Sequence, residues 1–194
     1  MSLPKLLREI RACRHCEAHL PLGPRPVLAA RRTATILIAG QAPGTRVHET
    51  GIPWNDPSGD RLRDWLQVDR EVFYDDRRIA IIPMGFCYPG KGKSGDLPPR
   101  PECAPLWQDR LRRELPELKL VLALGMYAQK WHLGDRRGKT LTDTVRAWRD
   151  FAPGIVPLPH PSPRNVGWFK KNPWFDAELV PAVRERVSEL LHRA

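Results

Sequence analysis

The stretch Thr35-Ile-Leu-Ile-Ala-Gly-Gln-Ala-Pro-Gly44 joins a run of β-branched and apolar residues to a turn that contains two glycines. Residues 35–39 show no alternation of polar and apolar side chains, which predicts a strand buried on both faces. Three later runs have the same character, at residues 78–83, 118–124 and 155–158. Together these runs predict a sheet that is covered on both sides.

Helical patterns separate the runs, and this alternation predicts parallel strands with helices on both faces of the sheet. The predicted helices cover residues 4–12, 60–66, 105–115, 126–132, 140–151 and 176–192, of which 140–151 would also fit a hairpin. Ser58 or Asp60 would cap the second helix. The stretch up to Gly59 and the proline-rich residues 88–102 indicate loops. We therefore expect a single domain over residues 1–194 of the α/β class, with three layers (α/β/α) around a central, mostly parallel four-stranded sheet.

The working loops of such a sheet lie at the carboxyl ends of its strands. Residues 40–44 follow the first predicted strand, residues 84–87 the second, Gly125 the third and His160 the fourth. These segments are far apart in sequence, but the predicted fold places them at one edge of the sheet. We therefore predict a functional site at this edge.

The composition indicates a basic chain with a polyanionic partner. The 194 residues carry 32 basic and 22 acidic side chains, a net charge of +10, and 41% of them are hydrophobic. A basic surface can serve solubility alone, but nucleic acid is the commonest partner of such a chain. No run approaches the ~18 apolar residues of a membrane span, and residues 1–16 lack the apolar stretch of a secretory leader. We expect a soluble cytoplasmic protein that does not bind membranes.

The four cysteines predict a metal centre. Cys13 and Cys16 form a Cys-x-x-Cys pair, and Cys87 and Cys103 would complete a set of four thiolates from a distant part of the chain. Disulfides are not expected in a reducing compartment. Zinc and iron–sulfur clusters both bind four cysteines. The residues alone leave both metals open, beside the alternative of a lone pair and two buried cysteines.

Several motifs occur in order along the chain. They are Gly40-Gln-Ala-Pro-Gly44, Gly51-Ile-Pro-Trp-Asn-Asp-Pro-Ser-Gly59, Leu124-Gly125 and His160-Pro-Ser-Pro-Arg-Asn165. Together with the Cys-x-x-Cys pair and the sixteen-residue separation of the other two cysteines, this set resembles the uracil-DNA glycosylase superfamily, and most closely its iron–sulfur-containing branch. The resemblance covers nearly the whole chain.

The resemblance implies a monofunctional DNA glycosylase, a hydrolase that starts base-excision repair by releasing uracil or a related deaminated or damaged base. Such an enzyme extrudes the target nucleotide into a pocket, where a preorganised donor stabilises the negative charge of the leaving base. His160 is the implied donor, and Pro161 and Pro163 restrict the backbone that carries it. The implied cofactor is a four-iron–four-sulfur cluster bound by the four cysteines, with zinc as the alternative.

The base pocket implied by the resemblance is formed by three of the motifs. Its residues are Gly40, Gln41, Ala42, Pro43, Gly44, Trp54 and Ser162. The glycines let the backbone approach the base closely, and the Trp54 ring would stack on it.

Two positions depart from the pattern of the superfamily. The turn lacks an acid, because Gln41 and Ala42 stand where relatives have glutamate or aspartate. We predict that Gln41 orients the attacking water, with His48 and Glu49 as the nearest replacement bases and Asp56 as a further candidate. Pro83 stands where the branch has an asparagine that reads the uracil edge, which leaves the identity of the base open.

Residues 164–175 mix cations with aromatic rings and contain no acid, which suits phosphate neutralisation and base stacking. The predicted DNA contacts are Arg164, Asn165, Lys170 and Lys171. We expect a monomer whose partner is DNA that contains uracil or another modified base. Because the turn lacks an acid, the alternative is a protein of the same fold that binds damaged DNA with little or no catalysis.

Overall fold

The computed structural model describes residues 2–192, and its centre is a parallel sheet of four strands. The strands of the chain are β1 (Ile36–Ala39), β2 (Ile79–Ile81), β3 (Lys91–Gly92), β4 (Gly95–Asp96), β5 (Leu120–Leu124) and β6 (Ile155–Leu158). The sheet has the spatial order β2-β1-β5-β6, and its neighbouring strands are all parallel. Strands β3 and β4 form a separate antiparallel hairpin. Each strand of the sheet lies within a run that predicted it.

Helices cover both faces of the sheet. They are α1 (Leu3–Arg11), α2 (Thr45–Thr50), α3 (Pro57–Leu66), α4 (Arg70–Tyr74), α5 (Cys103–Arg113), α6 (Gly125–Leu133), α7 (Leu141–Arg146), α8 (Val166–Lys171) and α9 (Val180–His192). Over residues 2–192, none of them combines the length and the apolar character that a membrane crossing requires.

Alternate side chains of β1 enter two separate hydrophobic cores, because successive residues of a strand point to opposite faces. Ile36 and Ile38 pack with side chains of α3, α4, α7 and α9. Leu37 and Ala39 pack with side chains of α1, α5 and α6 on the other face. Two cores on a doubly covered sheet confirm the predicted three-layer α/β/α class.

The stretch between β1 and α3 differs from the prediction, which was a continuous loop. Helix α2 lies within it, and its N-cap is Gly44, which has no side chain to signal a helix start. Helix α3 begins at Pro57, and its cap is Asp56, whose Oδ1 accepts a hydrogen bond from the Gly59 N–H at 2.8 Å. The predicted caps, Ser58 and Asp60, were therefore wrong.

Local hydrogen bonding determines the secondary structure of two other segments. Residues 140–151 begin with a helix, not a hairpin, because Thr140 and Asp143 form a reciprocal capping box at the start of α7. Residues 88–102, predicted as an irregular loop, contain the β3–β4 hairpin. Prolines and glycines in that segment conceal strands of only two residues.

His132, near the end of α6, makes the folding stability depend on pH in the acid range. Its Nε2 is buried and has no hydrogen-bond partner within residues 2–192, and burial, aided by Arg112, lowers the pKa of the ring to about 4. In the unfolded chain a histidine titrates with a pKa of about 6.5. The neutral ring therefore contributes fully to stability above that pH, and the contribution is lost as the pH falls toward 4.

We expect acidification over this interval to cost on the order of 3 kcal/mol of folding free energy through His132. Urea unfolding at several pH values measures the effect, and His132→Leu should show a correspondingly smaller loss. Identical pH dependence in the two proteins would contradict the assignment.

Candidate active site

Loops at the carboxyl ends of the strands enclose a cavity of about 240 Å³. Its walls come from the turn after β1, the loop before α3, the β3–β4 hairpin and the loop after β6. The lining side chains that carry chemistry are Gln41, Trp54, Asp56, Asp96, His160, Ser162 and Arg164. The structure thus brings the turn at residues 40–44 and His160 together at one edge of the sheet.

His160 is held by hydrogen bonds to the backbone around it. Its carbonyl oxygen accepts from Asn165 Nδ2 at 2.7 Å, and Arg61 on α3 donates to the Ser162 carbonyl oxygen at 3.2 Å. Ser162 Oγ accepts from the Arg164 N–H at 3.2 Å. The loop is therefore braced both by itself and by α3.

The surroundings of the His160 ring favour its neutral form. Burial lowers the pKa of the imidazole, and the charge of Asp56 opposes this only in part. The ring lies beside the Trp54 indole, with centroids 5.5 Å apart and an angle of 31° between the planes. A neutral imidazole has one N–H to donate and one nitrogen that accepts.

Trp54 has an unusual backbone conformation, with φ at +56°. Its carbonyl oxygen accepts a hydrogen bond from Arg63 Nη1 at 3.3 Å and lies against Gly59, where a Cβ would stand 1.8 Å from it. Its indole covers Gly40, where a Cβ would stand 2.9 Å from the ring. Only glycine at these two positions allows the Trp54 backbone and ring to take their places.

A buried arginine supports this loop from below. The Arg63 guanidinium also donates to the Tyr74 hydroxyl at 3.3 Å and pairs with Asp60, and the Tyr74 hydroxyl donates to the Pro53 carbonyl oxygen at 2.9 Å. Arg63 is 6% exposed, so its N–H groups form hydrogen bonds within the protein and do not face a ligand. It therefore fixes the segment that carries Trp54.

Two carboxylates line the cavity. Asp56 lies beside His160 and uses one oxygen to cap α3. Asp96 lies at the end of β4, and its Oδ2 is 3.2 Å from the place a Cβ would take on Gly44. The site thus contains acids, although the turn at residues 40–44 has none.

A sequence model of the uracil DNA glycosylase superfamily matches residues 28–184, a range that includes all residues lining this cavity except Val27. The chain belongs to the uracil DNA glycosylase superfamily. Among solved structures, the solution NMR structure of a candidate uracil DNA glycosylase from Methanosarcina acetivorans aligns with 83% of this chain and 98% of that one, at a TM-score of 0.49 and 16% sequence identity. The matched range begins after Cys13 and Cys16, so the iron–sulfur branch of the superfamily stays a prediction.

Gln41 and His48, predicted as catalytic residues, occupy different environments. Gln41 lines the cavity, but its Nε2 donates to the Leu97 carbonyl oxygen at 3.2 Å. His48 is buried on α2, with its ring centroid 6.1 Å from that of Tyr88, and it is not among the described residues that line the cavity. The structure therefore does not bring His48 to the other site residues of this superfamily member.

The four predicted DNA contacts divide into two pairs. Arg164 Nη1 donates to the Ser94 carbonyl oxygen at 3.0 Å, and Asn165 donates to His160, so these two side chains help build the site. Lys170 and Lys171 are exposed at the end of α8. Arg164 is also exposed, and its hydrogen bond to Ser94 uses only Nη1, so three of the four predicted contacts have a side chain open to solvent.

The aromatic residues of this segment pack with one another and against the core. Phe169 and Phe175 both make edge contacts with Trp65, at centroid distances of 5.4 and 4.9 Å. Trp168 Nε1 donates to Thr142 Oγ1 at 2.8 Å. These contacts anchor α8 to the body of the fold, and Trp168 and Phe169 remain half-buried.

The four cysteines line one small cavity, which lies between the end of α1, the loop after β2 and the start of α5. Burial raises the pKa of Cys87 to about 11 and that of Cys103 to about 12. Within residues 2–192, no group of three or more histidine, cysteine, aspartate or glutamate side chains is arranged to hold a metal ion. Zinc and iron–sulfur clusters both bind four thiolates, so this set of donors leaves both metals open.

Sequence reasoning did not identify Asp96 or Arg63 as site residues. The Ser94-Gly95 pair is a turn signal, but it marks only a hairpin and not the cavity that the hairpin covers. Arg63 lies on a helical face with no local sign of burial. Both roles depend on contacts between segments distant in sequence.

Proposed function

We propose that this protein is a DNA glycosylase that hydrolyses the bond between deoxyribose and uracil, or a related deaminated base, and so starts base-excision repair. One observation carries the proposal: the His160 imidazole and the Gly40–Gly44 turn line the same cavity. Membership of the uracil DNA glycosylase superfamily supports DNA as the substrate, and so does the net charge of +10.

The cavity would receive a nucleotide turned out of the DNA stack. Its volume of about 240 Å³ and its position at a strand edge suit a single flat base, which must leave the duplex to be reached. Trp54 offers an indole for stacking, which contributes about 1–3 kcal/mol per base. Lys170 and Lys171 would neutralise phosphates beside the cavity.

His160 would stabilise the base as it departs. When the bond to the sugar breaks, negative charge develops on an oxygen of the base, and a fixed hydrogen-bond donor at that point lowers the barrier. The lowered pKa keeps the ring neutral, so it donates one N–H without bringing a positive charge into the cavity. The braces from Asn165 and Arg61 hold the backbone of this loop before the substrate arrives.

The base edge is read without the asparagine typical of the iron–sulfur branch. Pro83 lines the cavity, and its carbonyl oxygen already accepts from Gln108 Nε2 at 2.8 Å. Because proline has no N–H, this wall offers the base no donor. We therefore propose a deaminated base as the substrate class without restricting it to uracil.

The decisive experiment measures base release by the purified protein. Single- and double-stranded oligonucleotides that carry uracil, hypoxanthine, xanthine or hydroxymethyluracil are incubated with it, and abasic sites are then cleaved with alkali. We expect cleavage with at least one base. Binding of these oligonucleotides without release from any of them would contradict the proposal and favour the damage-binding alternative.

We also propose that Cys13, Cys16, Cys87 and Cys103 hold a four-iron–four-sulfur cluster. Their common cavity and their thiol donors support it. When bound, the cluster would cross-link the end of α1 to the start of α5. Its role would be structural, and the residues around the base cavity carry out the hydrolysis.

Chemical analysis of protein purified without oxygen tests the cluster. We expect about four iron and four acid-labile sulfide per chain, and loss of both in Cys103→Ser, because one of four ligands is removed. Zinc in place of iron, or a full cluster in Cys103→Ser, would contradict this assignment.

A further inference from the structure

The β3–β4 hairpin is a fixed wall of the cavity. Lys91 pairs with Asp96 and Gly92 with Gly95. The loops after β1 and β6 hold it from two sides. Gln41 donates to the Leu97 carbonyl oxygen at 3.2 Å, and Arg164 donates to the Ser94 carbonyl oxygen at 3.0 Å. The hairpin is therefore positioned by the two motifs that build the candidate active site.

Asp96 is the one acid that this wall contributes to the cavity among the described residues. Its Oδ2 lies over Gly44, 3.2 Å from the position of a Cβ on that residue. Its carboxylate accepts no hydrogen bond from residues 2–192. Both oxygens are therefore available to a water molecule at the turn where relatives carry an acid.

The charges that face Asp96 come from three elements. Asp96 is exposed at the rim of the cavity. Desolvation by the surrounding loops raises the pKa of its carboxyl group, the nearby Arg164 and Lys91 lower it, and Asp56 raises it. Asp56 itself differs in that one of its oxygens is occupied by the Gly59 N–H at the start of α3. Of the two acids, Asp96 is the one without a structural hydrogen bond.

We propose that Asp96 is the general base of the reaction, the residue that accepts a proton from the attacking water. The inference rests on the proposed glycosylase function. The bond between C1′ and the base nitrogen breaks, and its electron pair leaves with the base. The water oxygen bonds to C1′, one water proton passes to the Asp96 carboxylate, and that proton is then returned to the base through solvent. The products are the free base and a 1′-hydroxyl abasic site, with one water consumed.

Asp96→Asn tests the assignment, because it keeps the shape of the side chain and removes its charge. General base catalysis contributes about 10²–10⁴-fold, so we expect single-turnover release to fall at least about 100-fold. In the wild type the rate should fall as acidification protonates Asp96, and this acid limb of the pH profile should be absent in Asp96→Asn. Asp96→Glu, which restores a carboxylate, should recover part of the rate.

Two further variants separate this role from a general effect of charge. Asp56→Asn keeps the helix cap, because asparagine caps as well as aspartate; we expect a smaller loss and a retained acid limb. Asp135→Asn removes an exposed acid outside the cavity and should match the wild type. Affinity for uracil-containing DNA and the thermal midpoint should be similar in Asp96→Asn and the wild type.

The outcomes separate failure of the Asp96 assignment from failure of the proposed glycosylase function. Wild-type protein that releases no base overturns the glycosylase proposal and the inference together. An active wild type whose rate and acid limb survive in Asp96→Asn, or whose acid limb is lost only in Asp56→Asn, overturns the inference alone.

Discussion

Replacing His160 with alanine is expected to lower the rate of base release by about 100- to 1000-fold, equivalent to about 2.7–4 kcal/mol of transition-state stabilisation. The imidazole lies in the cavity with a pKa lowered by burial. Its N–H is the donor that we place at the departing base. Without it, the developing negative charge meets only the backbone of the turn and solvent.

Single-turnover kinetics on an oligonucleotide released by the wild type measure this loss, because product release then does not mask the chemical step. His192→Ala, at the exposed end of α9, is the matched control and should retain the wild-type rate. A His160→Ala protein within about threefold of the wild type would remove His160 from the chemical step.

Gly59→Ala is expected to be the most damaging substitution in the loop that carries Trp54. A Cβ at this position would stand 1.8 Å from the Trp54 carbonyl oxygen and 2.6 Å from its carbonyl carbon. These are backbone atoms that no rotamer change can move. Overpacking of this kind costs about 3 kcal/mol or more, which exceeds the ~1 kcal/mol that alanine gains over glycine in a helix.

Urea unfolding and base release, measured together, test this prediction. We expect a lower free energy of unfolding and strongly reduced activity, because displacement of the Trp54 carbonyl also breaks its hydrogen bond from Arg63. Gly154→Ala is the control, since among residues 2–192 no atom other than those of its chain neighbours lies within 4 Å of its Cβ position, and it should change stability by less than about 0.5 kcal/mol. Wild-type stability in Gly59→Ala would mean that the loop adapts without strain.

The sheet could be predicted from sequence because its strands are uninterrupted apolar runs, a pattern that burial on both faces imposes. Helix α2 could not, since it has six residues and begins after a glycine that supplies no cap. The start of α3 was recoverable in principle, because Asp56 followed by Pro57 is a typical cap and first residue of a helix.

The candidate site was only partly predictable, for a similar reason. The turn at residues 40–44, Trp54 and His160 follow predicted strands or belong to recognisable motifs, and they do line one cavity. His48 is close to the turn in sequence, but α2 carries it into the core beside Tyr88. Asp96 is more than fifty residues from Gln41 in sequence, and only the tertiary fold brings its hairpin over the turn.

The order of strands in the sheet determines how wide an object can fit at its edge. The turn at residues 40–44 follows β1 and His160 follows β6, and β5 lies between these strands. Since adjacent strands are about 4.8 Å apart, the two groups start roughly 10 Å apart. The residue after β5 is Gly125, whose φ of +78° disfavours any side chain. The distance across this edge of the sheet is therefore set by the backbone. Substitutions at the rim can change which base is accepted more readily than they can change the width available to it.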